Sequence, residues 1–119
     1  MKNISINKLS CCEDVIKCVF ELNESDIQIY KKLKENGKTR ADKLAKKIGK
    51  DRSTVYRSLQ KLTCCGICSK QTKIIEKGGY YHTYQCNDIK ETKQRLEKQI
   101  NDWYKQMKKT LNHIEKIWR

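Results

Sequence analysis

The sequence predicts a mainly α-helical fold with one small β-hairpin and a long C-terminal helix. Three observations carry this. Residues 38–62, KTRADKLAKKIGKDRSTVYRSLQKL, read as two short helices around a glycine. After Gly66 the apolar pattern changes from helical spacing to period two around Gly78-Gly79. From residue 88 to residue 119 the helical period returns without a break.

Taken in order, residues 9–22 predict a helix with Ser10 as N-cap, because Cys11, Val15, Cys18 and Leu22 share a face at spacings 4, 3 and 4. Asn23 is the expected N-cap of a second helix, with Asp26 in its first turn where the helix dipole favours negative charge. Its apolar face is either Ile27, Tyr30 and Leu33 or Ile29 and Leu33, and Gly37 ends it in a left-handed cap. Thr39 with Asp42 resembles a capping box for a third helix buried through Leu44, Ala45 and Ile48. Gly49 makes the turn, and Asp51 caps a fourth helix over 52–63. Strands are expected at 68–76 and 80–86, joined through Gly78-Gly79.

Helix, turn, helix, hairpin is the order of a winged helix-turn-helix, so the chain divides into an N-terminal helix (1–22), a DNA-binding unit (23–87) and a C-terminal helix (88–119). In the fourth helix Val55, Leu59 and Leu62 point inward. At about 100° per residue Ser53, Arg57 and Gln60 then point outward, with Arg52, Thr54, Tyr56 and Lys61 on the flanks. Arginine reads guanine bidentately and glutamine reads adenine. Ser53, Thr54 and the amides of the helix N-terminus suit a phosphate. Tyr56 is either a sugar or thymine-methyl contact or a core tyrosine. The wing adds Lys70, Lys73, Lys77 and His82 as backbone contacts. The charge agrees: the chain carries +13, and residues 38–61 hold nine basic and two acidic side chains. Double-stranded DNA is the expected partner.

Ala45, Gly49 and Val55 stand at the spacing of the small, turn and buried positions of the helix-turn-helix signature. The stretch 22–62 resembles the winged-helix domain of archaeal TrmB-like regulators and is more distantly similar to MarR-type regulators. The resemblance covers roughly residues 20–87 and implies a transcription regulator. Lys50 departs from it, standing where the family usually has an apolar residue; its aliphatic stem is expected to cover the core with the ammonium in water. No sugar-binding domain follows, so the ligand chemistry of TrmB is not implied.

Leu96, Ile100, Trp103, Met107, Leu111, Ile114 and Trp118 form two 11-residue repeats, a stripe that needs a partner. The partner is either a second copy, giving a homodimer with two reading helices on a palindrome, or the chain's own N-terminal helix.

Seven cysteines occur without a secretory signal. Cys65-x2-Cys68-x13-His82-x3-Cys86 mimics a zinc string, but four residues of strand put His82 and Cys86 about 13 Å apart. The surviving thiol set is Cys64, Cys65, Cys68 and Cys86, with Cys11, Cys12 and Cys18 as a second triad. Three readings stand: a zinc or iron–sulfur ligand set, a reversible disulfide, or inert thiols with no cofactor.

The mean hydropathy of −0.88 and the lack of a long apolar run predict a soluble cytoplasmic protein without a membrane span. No nucleophile elbow, phosphate loop or paired-carboxylate site suggests an enzyme. The alternative function is a winged-helix module that binds RNA or another protein within a transcription assembly.

Overall fold

A computed structural model describes residues 12–118. Its elements are α1 (Cys12–Phe20), α2 (Glu24–Asn36), α3 (Ala41–Ile48), α4 (Arg52–Cys65), β1 (Cys68–Ile74), β2 (Tyr80–Cys86), α5 (Ile89–Asn112) and α6 (Ile114–Ile117). This is a mainly α winged helix with a two-stranded antiparallel wing and a long C-terminal helix. Ser10 and Cys11 lie outside the described residues.

The core forms where α2, α3 and α4 converge beneath the root of the hairpin. Leu33, Leu44, Val55, Leu59, Leu62 and Ile67 are fully buried there. Both faces expected of α2 are buried, since Ile27, Ile29, Tyr30 and Leu33 all enter the core. A helix covered on two sides needs a wide apolar stripe: α4 covers one side and β2 the other.

Several boundaries differ from expectation for local reasons. Asn23 and Asp26 form a reciprocal capping box, in which each side chain accepts the other's backbone N–H. Thr39 and Asp42 do not. The N-cap of α3 is Arg40, without a side-chain cap, because Thr39 is held in a bridge to β2: its N–H donates to the Tyr84 carbonyl at 3.0 Å and its carbonyl accepts from Tyr84 N–H at 2.7 Å. Gly37 has a positive φ of 72°, but its ψ of −154° is not the left-handed helical cap. The fourth helix runs two residues past Thr63, so Cys64 and Cys65 belong to its last turn. β1 stops at Ile74, because the loop 75–79 closes through Ile75 N–H to Gly79 carbonyl and Gly78 N–H to Ile75 carbonyl. The long helix is interrupted at His113.

The start of α5 is held against this body. Thr92, in its first turns, is fully buried, and its hydroxyl donates to the Asp88 carbonyl at 3.3 Å. The Asn87 side chain donates to the Gly66 carbonyl at 2.7 Å, and its backbone N–H donates to Ile67. Beyond these anchors α5 extends outward, and the molecule reaches 65 Å along its long axis.

Candidate nucleic-acid interface

Asp51 starts the reading helix by accepting the Thr54 N–H at 2.6 Å. That backbone hydrogen bond holds its carboxyl below the usual carboxylate range. The same bond commits one of the amides at this helix end, that of Thr54, to a carboxylate.

Val55, Leu59 and Leu62 are buried as expected, and Ser58 joins them. The opposite face carries Ser53 and Arg57, both exposed, and Gln60, half-buried; Arg52 is exposed on the flank. Tyr56 resolves toward solvent at 44% exposure, so it is not a core tyrosine. Its phenol oxygen accepts from Gln60 Nε2 at 2.6 Å, which orients both side chains one helical turn apart.

Lys61 is corrected. Its ammonium donates to the Asp26 carboxylate across the α2–α4 contact, while Ser58 Oγ donates to the other carboxylate oxygen at 2.6 Å. Burial pushes the Asp26 carboxyl up, but the bonds from Lys61, Ser58 and the Asn23 amide outweigh it and the net shift is downward. Lys61 is thus an ion-pair partner of Asp26 while its side chain stays exposed. Lys50 is half-buried and its ammonium donates to Ser25 Oγ at 2.7 Å.

Lys70, Lys73 and Lys77 are all exposed, but they do not form one patch. Residues an odd number apart on a strand face opposite ways, so Lys70 shares the face of Cys68 and Lys73 the face of Gln71. Lys77 stands in the loop. Lys73 has a neighbour that the motif did not reveal: Lys38, bonded to Gln71. Partial loss of hydration, and then the like charge of Lys73, hold the Lys38 ammonium below its ordinary value. Cations that feel each other's charge on an exposed surface suit a phosphate. The available signal was a lysine directly before a residue that joins the sheet. His82 pairs with Thr72, its Nδ1 3.1 Å from Thr72 Oγ1, far from the cysteines of the wing root.

The four-thiol set does not assemble. Cys64 is exposed on the outer side of α4, and Cys65 is half-buried on its flank. Only Cys68 and Cys86 meet, as direct partners across the hairpin. Among the described residues no three His, Cys, Asp or Glu side chains come together as a metal site requires.

The stripe on α5 divides. Leu96 packs on the chain's own core, and Trp103 lines a groove with Val19 and Phe20 of α1. Ile100, Met107, Leu111, Ile114 and Trp118 remain exposed, Trp118 at 81%. α1 meets the first part of the stripe, and no other described residue covers the rest. No helix among the described residues is long and apolar enough to cross a membrane.

Residues 16–90 match the sequence profile of the family described as "Sugar-specific transcriptional regulator TrmB". The chain belongs to the TrmB family. The match spans the whole winged helix with the adjoining ends of α1 and α5, and it makes this TrmB-family chain a DNA-binding transcription regulator. Two relatives from Methanocaldococcus jannaschii run alongside it. "Uncharacterized protein MJ1082" is 34% identical over 96% of each chain. "Uncharacterized protein MJ1503" is 33% identical over 87% of this chain and 78% of its own. Among solved structures, a "Possible transcriptional regulator from Methanosarcina mazei Go1" superposes with a TM-score of 0.71 at 27% identity, over 85% of this chain and 86% of that one. The ST1889 protein of Sulfolobus tokodaii shares the fold, with a TM-score of 0.62 at 18% identity over 77% of this chain and 90% of its own.

Proposed function

We propose that this TrmB-family chain is a homodimeric regulator that reads a two-fold-related DNA site, with α4 in the major groove and the wing on the flanking backbone. The observation that carries the reading is the outward row of α4. Arg57 is exposed, with Ser53 and Gln60 on the same face, on a helix anchored from behind by three fully buried side chains. A rigid helix that presents arginine and glutamine is suited to base edges. Arg52, Thr54 and Tyr56 flank the row, Lys70, Lys73 and Lys77 supply backbone contacts from the wing, and Lys38 adds one from the segment before α3.

The dimer rests on the exposed part of the α5–α6 stripe, Ile100 through Trp118. A contiguous apolar row of this length on a soluble chain is favoured by burial against a like surface. Residues 23–87 are then the reading unit, and 88–119 set the distance between two copies.

Selection from random double-stranded DNA with the full chain, followed by footprinting, tests both parts. The expected result is an inverted repeat whose half-sites lie about one helical turn or a multiple apart. Enrichment of no sequence would overturn the reading; a single unrepeated half-site would remove the dimer and leave the reading helix.

A further inference from the structure

Cys68 begins β1 and Cys86 ends β2, and the register sets them directly opposite. The backbone hydrogen bonds define the kind of pair. Tyr84 turns its N–H and carbonyl away from β1, toward Thr39, and Cys86 two residues on faces the same way. On the other side of the pair, Asn87 N–H donates to the Ile67 carbonyl. Cys68 and Cys86 are therefore a non-hydrogen-bonded pair, the kind in which side chains approach most closely, with Cα atoms about 4.5 Å apart. Disulfides span Cα separations of about 4.4–6.8 Å, so a bond needs only a small adjustment of the strands.

The two thiols are not equivalent. Cys68 is 2% exposed. Cys86 is half-buried, donates to the Tyr30 carbonyl at 3.6 Å, and lines an open cleft with Lys34, Asn87 and Asp88. The charge of Lys34 reaches the accessible sulfur and favours both its thiolate and an anionic reactant. A hydrogen bond from Cys68, followed by the charge of Lys34, draws the Cys86 thiol below its ordinary value against the effect of burial, while that same hydrogen bond and burial push Cys68 up.

We propose that Cys68 and Cys86 are a thiol–disulfide exchange site for small anionic disulfides, with Cys86 as the attacking sulfur and Cys68 as the resolving one. Cys86 loses its proton to water and attacks one sulfur of the small disulfide. The S–S bond breaks, and one thiolate leaves and is protonated. Cys68 then gives up its proton and attacks the Cys86 sulfur of the mixed disulfide, which expels the second thiolate. Two protein thiols are oxidised to one disulfide, and the small disulfide is reduced to two thiols. The new bond ties the strands at the root of the wing, immediately after the reading helix. This inference stands on the hairpin geometry and does not depend on DNA binding.

The full chain, incubated with oxidised glutathione and digested without reductant, tests it. The expected product is a loss of two hydrogens, mapped to linked peptides containing Cys68 and Cys86 and restored by dithiothreitol. Cys68→Ser should retain glutathione on Cys86, whereas Cys86→Ser should carry none on Cys68. Because a serine in the buried position can disturb folding, the native chain is also pulsed with N-ethylmaleimide, and Cys86 should be labelled before Cys68. The proposal is overturned if both remain thiols while Cys64 takes up glutathione, or if Cys68 is labelled first.

Discussion

The guanidinium of Arg95 lies over Gly66, its Nε only 2.7 Å from the point where a Cβ would stand. Gly66 is the left-handed C-cap of the reading helix, with φ 84°, and Arg95 belongs to α5. A cation over a helix C-terminus is favoured by the partial negative charge of its carbonyls. The contact joins the C-terminal end of α4 to α5.

Gly66→Ala should lower stability by about 1–2 kcal/mol, mainly through the left-handed backbone, and should displace the flexible end of Arg95. Arg95→Ala alone should lose about 0.3–1 kcal/mol. In the Gly66→Ala background the second substitution should add almost nothing, since the contact is already broken. Urea unfolding of the four proteins measures the coupling; fully additive losses would show that the two residues act independently.

Asp26 carries an acid-sensitive share of the stability. Its folded-state pKa is lowered, so its contribution is complete above the unfolded value, near 3.9, and fades as pH falls through the lower folded value. Asp26→Asn should lose about 2–4 kcal/mol at neutral pH by leaving Ser58 and Lys61 without the carboxylate. The gap between variant and parent should narrow below pH 4. Unfolding midpoints at pH 7 and pH 3 decide this, and an unchanged gap would exclude the linkage.

On DNA, Arg57→Ala and Lys73→Ala should separate. The first should cost about 1–3 kcal/mol on the selected site and relax preference at one base position. The second should weaken binding evenly across sequences and flatten the salt dependence by about 0.9 in the log–log slope. Fluorescence anisotropy on matched and scrambled duplexes at several salt concentrations distinguishes the two patterns. Lys61→Ala, by contrast, should act through stability, because its partner is Asp26.

Leu111→Glu should convert the proposed dimer to a monomer, since a carboxylate buried between apolar helices is strongly disfavoured. Lys77 lies exposed in the loop of the wing, so Lys77→Ala is the control. Sedimentation equilibrium gives the masses. A native chain that is already monomeric at micromolar concentration would remove the dimer from the proposal.

The elements were legible in the sequence because they rest on short-range physics. Gly49 and Gly66 mark helix ends, Asn23 and Asp51 accept the first free amides of α2 and α4, and spacings of three and four against two separate helix from strand. The family signal travels on the same residues. Side-chain commitments across elements were not legible. Spacing placed Lys61 beside the DNA-facing row; only the packing of α2 on α4 brings Asp26 to its ammonium. Thr39 looked like a helix cap because nothing local shows that Tyr84, far along the chain, would claim its backbone. The cysteine string suggested four ligands, whereas the pairing register brings two of them together and turns the others away. Local sequence sets the period and ends of each element, since those depend on neighbours within a turn. Which polar groups meet depends on contacts between distant segments, and those exist only once the core has closed.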